Sequence, residues 1–475
     1  MITAISWKNV WRNKTRSLIV ITAVTIGVFA GVFSMAAINS SVIQRIDSAV
    51  NEELSHIQVN NKDFRSSADV QNIITDYPDV VSVLESTQGV TDVTGRIIIR
   101  GIASTAAKST GVEISGIDVN QERKMFKLYE RIIPGTGNYF EENTKFNSVL
   151  IGEKLAKELN IIRYIITDES LEYLEDERVS SAVISKLETL KGQRFTSDKK
   201  FVKAYEKLLD PSEAEKYWWQ IKEAAWSYRE GSKLILTFLD MDNNQTGAAF
   251  RVCGIFRTNN DMFEEFAVFV PEDELRLLAG MEEGAYHRAI ARLENDDLTQ
   301  SVTREVKNKL ADYEVMSWKE IQPDLAMITD FIGQIYAVFM VIILAALAFG
   351  IVNTMLMAVL ERTRELGMLM AIGMNRRKIF FMIMLESIFL SIVGGFSGMA
   401  VSEIVIAITG KTGINLVKYS EGMEAIGYSA HLYPTIDIQF FITTTILIVL
   451  TGVLSSIYPA RKALKLNPIE AIRTE

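Results

Sequence analysis

The sequence predicts an α-helical membrane protein with four transmembrane helices plus a large α/β (α+β) extracytoplasmic domain between the first and second of them. Three observations carry this. Four apolar runs, 18–43, 331–360, 378–408 and 436–459, are each long enough to cross a bilayer, which takes about 20 residues. Between the first two, residues 44–330 have ordinary globular composition. Finally, segments 1–17, 361–378 and 460–475 hold thirteen Lys or Arg against four Glu, a net +9. The whole chain is −9, so the remainder carries −18. Basic short loops stay in the cytoplasm, which puts both termini there and the acidic body on the other side. That distribution argues against a nucleic-acid partner. A single cysteine, Cys253, forbids an internal disulfide.

Residues 1–17 place Trp7 and Trp11 one helical turn apart, with Lys8, Arg12 and Arg16 on a neighbouring face. The pattern fits a helix lying among lipid headgroups, or a simple topology anchor. The run 18–43 reads as a retained span, because its apolar stretch of about 20 residues exceeds the 7–15 of a signal peptide. Ile43, Ile46, Val50 and Leu54 then recur at helical spacing, as do Ile321, Leu325, Ile328 and Ile332 before the second span. They predict two stalks that pack on each other or on a partner chain.

Within the domain, 57–59, 93–102, 112–117, 233–239, 250–256 and 266–270 read as strands, and 80–84 and 152–159 as helix. Residues 161–231 differ: Lys/Glu-rich and short of Gly, they read as helices. Their aromatics are Tyr217, Trp218, Trp219, Trp226 and Tyr228, and Tyr217, Ile221, Ala224 and Tyr228 fall on one helical stripe.

Segment 361–377 is short, charged and amphipathic, so it lies at the membrane surface. In the third span Glu386 and Glu403 are costly carboxylates, for which structural pairing is the expected role. Gly394, Gly395 and Gly398 offer a small face for close helix approach. The loop 409–435 is extracytoplasmic, and 460–475 forms a cytoplasmic tail. T-G-K-T-G at 409–413 lacks the glycine a phosphate loop needs at position 405, which is valine. His56, His287 and His431 have no metal-ligand spacing, and no nucleophile elbow appears. No cofactor is expected to bind this chain directly.

E-R-T-R-E-L-G-M-L-M-A-I-G-M at 361–374 and R-R-K-I-F-F-M-I-M-L-E-S-I-F-L-S-I-V-G-G-F-S-G after it resemble the core of the MacB/FtsX-type ABC transporter permeases. So do Y-P-A-R-K-A-L-K-L-N-P-I-E-A-I-R at the C-terminus, R-N-K-T-R-S-L near the start, V-L-I-G-E-K-L-A-K-E-L and F-R-V-C-G-I-F. The resemblance is nearest to the lipoprotein-releasing branch. It implies a bacterial inner-membrane protein, a permease dimer (homo- or heterodimer), and two separate cytoplasmic ATPase subunits that supply ATP chemistry. A periplasmic carrier or adaptor is implied as a further partner, besides membrane lipids.

The loop 361–377 would then be the coupling helix, with Arg362, Thr363, Arg364, Glu365, Leu366, Met368, Leu369, Ala371 and Gly373 as its ATPase-docking residues. Leu366, Met368, Leu369 and Met370 would seat in a groove, while Arg364 and Glu365 pair at its rim. The implied function is mechanotransmission for lipoprotein release, with tripartite efflux or regulation of a wall hydrolase as alternatives. The family pattern has no counterpart to the insertion of about 70 residues between Asn160 and Gly231.

Overall fold

Four helices among the described residues are long and apolar enough to cross a membrane. They are Lys14–Ser48, Pro323–Glu361, Arg376–Thr412 and Ile438–Leu464. The computed structural model describes residues 2–67, 69–141, 146–436 and 438–465. It resolves into a helical unit (1–45, 324–420, 428–475) and an α/β unit (46–323, 421–427). Most of the expected tail, 466–475, lies outside the described residues.

In the helical unit the third span is the centre, because small residues let its neighbours approach. A Cβ on Gly394 would sit 2.7 Å from Val24 Cβ, and one on Gly398 would sit 2.8 Å from the Thr25 carbonyl, both on the first span. Thr25 Oγ1 donates to the Gly394 carbonyl at 3.1 Å. Gly395 faces the fourth span instead, with Ile448 Cγ2 2.8 Å from its would-be Cβ. Close backbone approach of this kind supplies the packing that a hydrophobic effect cannot supply inside lipid. The second and fourth spans meet where the Tyr336 and Thr444 hydroxyls lie 2.8 Å apart. Glu403 is exposed on the third span.

The α/β unit contains a nine-stranded sheet: β1 (Ile57–Asn60), β2 (Val90–Ser104), β3 (Ser109–Ile117), β4 (Ser148–Gly152), β5 (Lys233–Leu239), β6 (Gln245–Phe256), β7 (Ala267–Pro271), β8 (Arg288–Leu293) and β9 (Glu314–Ser317). Their order is β9-β1-β8-β2-β3-β7-β4-β6-β5, and β5 also pairs with β2. Two lobes result. Strands β9-β1-β8-β2, with helices Tyr77–Glu85 and Thr299–Lys309, make a split βαββαβ lobe of ferredoxin-like order. Ile57, Val59, Leu84, Ala291, Val306 and Val315 form its core.

The outer half of β2 turns away to pair Gly101–Ser104 with Phe238–Ile235 of β5. That pairing closes a six-stranded barrel, β2-β3-β7-β4-β6-β5, around Ile99, Ile114, Val149, Leu236, Phe250 and Val268. Gly101 sits at the turn, where a Cβ would lie 2.7 Å from the Thr237 carbonyl. The backbones can meet there because glycine has no side chain.

Three expectations are corrected. The insertion is not purely helical: Ile162–Ile165 pairs with Arg194–Phe195 and with Trp226–Tyr228 in a small sheet. Its helices pack on that sheet around Leu174, Val183, Phe201 and Ile221, a core of their own. Tyr228 therefore leaves the supposed stripe, since the helix that carries Tyr217 and Ile221 ends at Ala225. Nor does one helical stripe join Ile321 to Leu325: Ile321 closes a short helix, Trp318–Ile321, and the second span begins afresh at Pro323. Proline fits a first helical turn and cannot continue a preceding one. On the first stalk the helix gives way to a π-helix, Ala49–Leu54.

A charged helix between the second and third spans

The second span ends because Arg362 leaves helical geometry (φ −99°, ψ 15°), and a separate helix, Thr363–Ala371, follows. Gly373 ends it. With φ +92°, it lets its own N–H reach the Met370 carbonyl at 3.1 Å and the Met374 N–H reach the Leu369 carbonyl at 3.0 Å. That is a Schellman cap, in which glycine takes the left-handed position. Asn375 then caps the third span, its Oδ1 accepting from the Arg377 N–H at 3.0 Å.

Charge ties this helix to the N-terminal helix, Ile2–Arg12. The Arg12 guanidinium forks onto Glu365, 2.9 Å from Nη1 to Oε2 and 2.5 Å from Nη2 to Oε1. Arg362 Nε donates to the same carboxylate at 3.1 Å, and its Nη1 reaches Glu386 at 3.3 Å. Asn9 Nδ2 donates to Glu386 at 2.7 Å. Arg16 pairs with Glu361. Hydrogen bonds from Arg12 and Arg362 hold the Glu365 carboxyl below the usual carboxylate range. Glu386, only 8% exposed, thus has the partners that its place in a span requires. A cavity of about 620 Å3 opens beside this network.

The docking residues expected from sequence divide by face. Leu366 is 3% exposed and Leu369 half-buried, both packed into the helical unit. Met368 is 44% exposed, and Arg364, Ala371 and Gly373 are exposed too. Thr363 Oγ1 returns to the Leu360 carbonyl at 2.6 Å. Leu366 therefore belongs to this chain's own core, which corrects its assignment to a partner's groove, whereas half-buried Leu369 packs against that core and also lines a cavity beside the N-terminal helix. Glu365 pairs within this chain, with Arg12 and Arg362. Besides Met368, Ile372 is presented outward, 85% exposed, and sequence reasoning missed it.

Arg376, Arg377 and Lys378 follow at the start of the third span, all exposed. Cations at a helix N-terminus oppose the macrodipole, so their placement does not serve helix stability. Among the described residues none of the three has an ion-pair partner.

His56 and His287 are pushed down to about 4 by burial and accept backbone N–H groups of Leu293 and Ile98. Burial pushes the Cys253 thiol up to about 12. Among the described residues no cluster has metal-ligand composition.

The fold and this site define a four-span membrane protein with an α/β domain inserted after its first span and a charged helix after its second. Residues 337–468 match the family described as FtsX-like permease C-terminal. The uncharacterized ABC transporter permease MJ1507 of Methanocaldococcus jannaschii is 28% identical over 240 residues, 48% of this chain and 55% of that protein. YknZ of Bacillus subtilis, also an uncharacterized ABC transporter permease, is 31% identical over 163 residues, 34% of this chain and 37% of its own. The macrolide export ATP-binding/permease protein MacB of Escherichia coli is 25% identical over 234 residues, 47% of this chain and 34% of that one. The solved extracellular domain of a YknZ from Gram-positive bacteria aligns with 55% of this chain and 98% of its own, at 14% identity and a TM-score of 0.28. The matches span about half or less of the length of these curated relatives. Residues 337–468 thus carry an FtsX-like permease C-terminal region, and about half of the chain is similar to proteins named as ABC transporter permeases.

Proposed function

We propose that this chain is the mechanotransmitting membrane subunit of an ABC machine, with ATP bound and hydrolysed by separate cytoplasmic subunits. The observation that carries the reading is the helix Thr363–Ala371. It lies between two spans, is flanked by cations, and presents Met368 and Ile372 outward. Its place within the FtsX-like permease region supports a coupling role. The basic edges support cytoplasmic termini in an inner membrane, with the α/β unit on the far side. A second permease copy or partner completes the machine.

For cargo, we propose release of lipid-anchored proteins, handed to a periplasmic carrier. Export of small molecules or peptides is the second reading, supported by relatives named as macrolide export proteins. The coupling role is tested with Ile372→Asp in the full-length chain, purified from native membranes. The ATPase subunit should no longer co-purify while the permease remains inserted, because a charge driven into an apolar seat has no partner. Unchanged co-purification would remove the coupling role from this helix.

A further inference from the structure

We infer that the N-terminal helix and the helix Thr363–Ala371 form one docking seat, whose groove receives an apolar side chain from an acidic-rimmed face of the ATPase subunit. This rests on the coupling role proposed above and extends it to a second element. A cavity of about 680 Å3 runs between them: Ile2, Thr3 and Ile5 make one wall, Leu369, Ile372 and Met374 the other, and Lys378 stands at the mouth.

The N-terminal wall is fixed at three levels. Ser6 Oγ donates to the Met382 carbonyl at 3.1 Å, Asn9 holds Glu386, and Arg12 forks onto Glu365. Trp7 adds an edge-to-face contact with Phe389, ring centroids 5.4 Å apart. The helix thus packs on the third span with a buried Ser6 and Val10, instead of resting on lipid alone.

The occupant follows from the mouth. Lys378 stands at it, and Arg376 and Arg377 directly precede Lys378 in sequence; all three are exposed, which places the mouth in water and not in hydrocarbon. An isoleucine 85% exposed in that setting gains from burial under protein, and the unpaired cations gain from carboxylates. A partner with an apolar knob ringed by Asp or Glu satisfies both.

The test places a photo-crosslinking amino acid at Thr3, Ile372 or Lys8 of the full chain, expressed with the ATPase subunit that co-purifies with it. Adducts with that subunit are expected from Thr3 and Ile372 and not from Lys8, which lies off the groove. Adducts from Ile372 alone, with Thr3 labelling only lipid, would overturn the composite seat and leave the coupling role standing. Adducts from neither position would overturn both.

Discussion

Arg12 and Glu365 stand 353 residues apart in sequence and meet as a two-pronged ion pair, with oxygens 2.5 and 2.9 Å from the guanidinium nitrogens. An exposed pair of this kind contributes little by itself. Here its carboxylate is shared with Arg362, whose other arm reaches the buried Glu386. The consequence is asymmetric. Arg12→Ala should barely change unfolding of the purified chain, whereas Arg362→Ala should cost about 3 kcal/mol by leaving Glu386 with Asn9 alone. Denaturant unfolding in detergent compares the two, and equal losses would show that the network does not converge on Glu386.

The glycines of the third span make a graded prediction. A side chain at Gly398 meets the Thr25 carbonyl, which cannot move without the first span. At Gly395 it meets only side-chain atoms of Ile448, Cγ2 nearest at 2.8 Å, which can give way without a backbone moving. Gly398→Ala should cost about 1–3 kcal/mol, and Gly395→Ala less. Gly350 faces open space, and Gly350→Ala should be neutral in the monomer. The ranking Gly398 > Gly395 > Gly350 in thermal unfolding is the measurement.

Two carboxyls in the α/β unit give its stability opposite slopes with pH. Burial pushes Glu153 up, but hydrogen bonds from Arg257, Tyr228 and Lys157 prevail and hold it at about 2. Its stabilising contribution is complete above the ordinary carboxylate range and lost as pH falls toward 2. Glu264 is the reverse, raised to about 8 by burial, with Oε2 lacking a hydrogen-bond partner. Ionising it becomes a growing cost as pH climbs from about 4.5 to 8. Glu264→Gln should flatten the alkaline side of the stability profile and leave the acid side alone. Glu153→Gln should do the opposite.

The proposed sidedness is open to labelling. In a Cys253→Ala background, cysteine at Asp198 or Gln300 should react with an impermeant thiol reagent added outside the inner membrane. Cysteine at Arg377 or Arg461 should not. All four positions are exposed, so burial cannot mimic protection. Reaction of both sets from one side would end the assignment.

What the sequence showed and what it hid follow from the range of the signals. The spans rest on long local runs of hydropathy, and strands such as Lys233–Leu239 on local alternation, so both were legible. Barrel closure was not, because Gly101 and Phe238 pair across 137 positions. Glu386 was marked as needing a partner, but Asn9 and Arg362 could not be named, since no local pattern connects them. Leu366 and Ile372 exchanged roles for a related reason. An amphipathic helix beside a membrane has two apolar destinations, its own bundle and a partner, and periodicity does not tell them apart. The insertion's strands, two to four residues long, are too short for alternation to register.

The insertion carries the last prediction. Its core closes on itself around Leu174, Phe201 and Ile221, with Tyr164 stacked on Phe201 at 5.1 Å between centroids. Its entry and exit strands pair Ile162 with Tyr228, so a short linker can span the gap left by excision. The cut must spare Tyr228, whose hydroxyl donates to buried Glu153. Replacing 163–227 with a few Gly and Ser should therefore leave a folded barrel and an inserted permease that still binds its ATPase. The outward aromatics are Trp218 and Trp219, not the Tyr217–Ile221 face, which is core. If the insertion receives a partner or cargo, Trp218→Ser with Trp219→Ser should reproduce the transport loss of the excision while the fold and ATPase binding persist. Transport unaffected by either change would make the insertion a self-packed decoration, and failure of the excised chain to fold would make it part of the barrel's core.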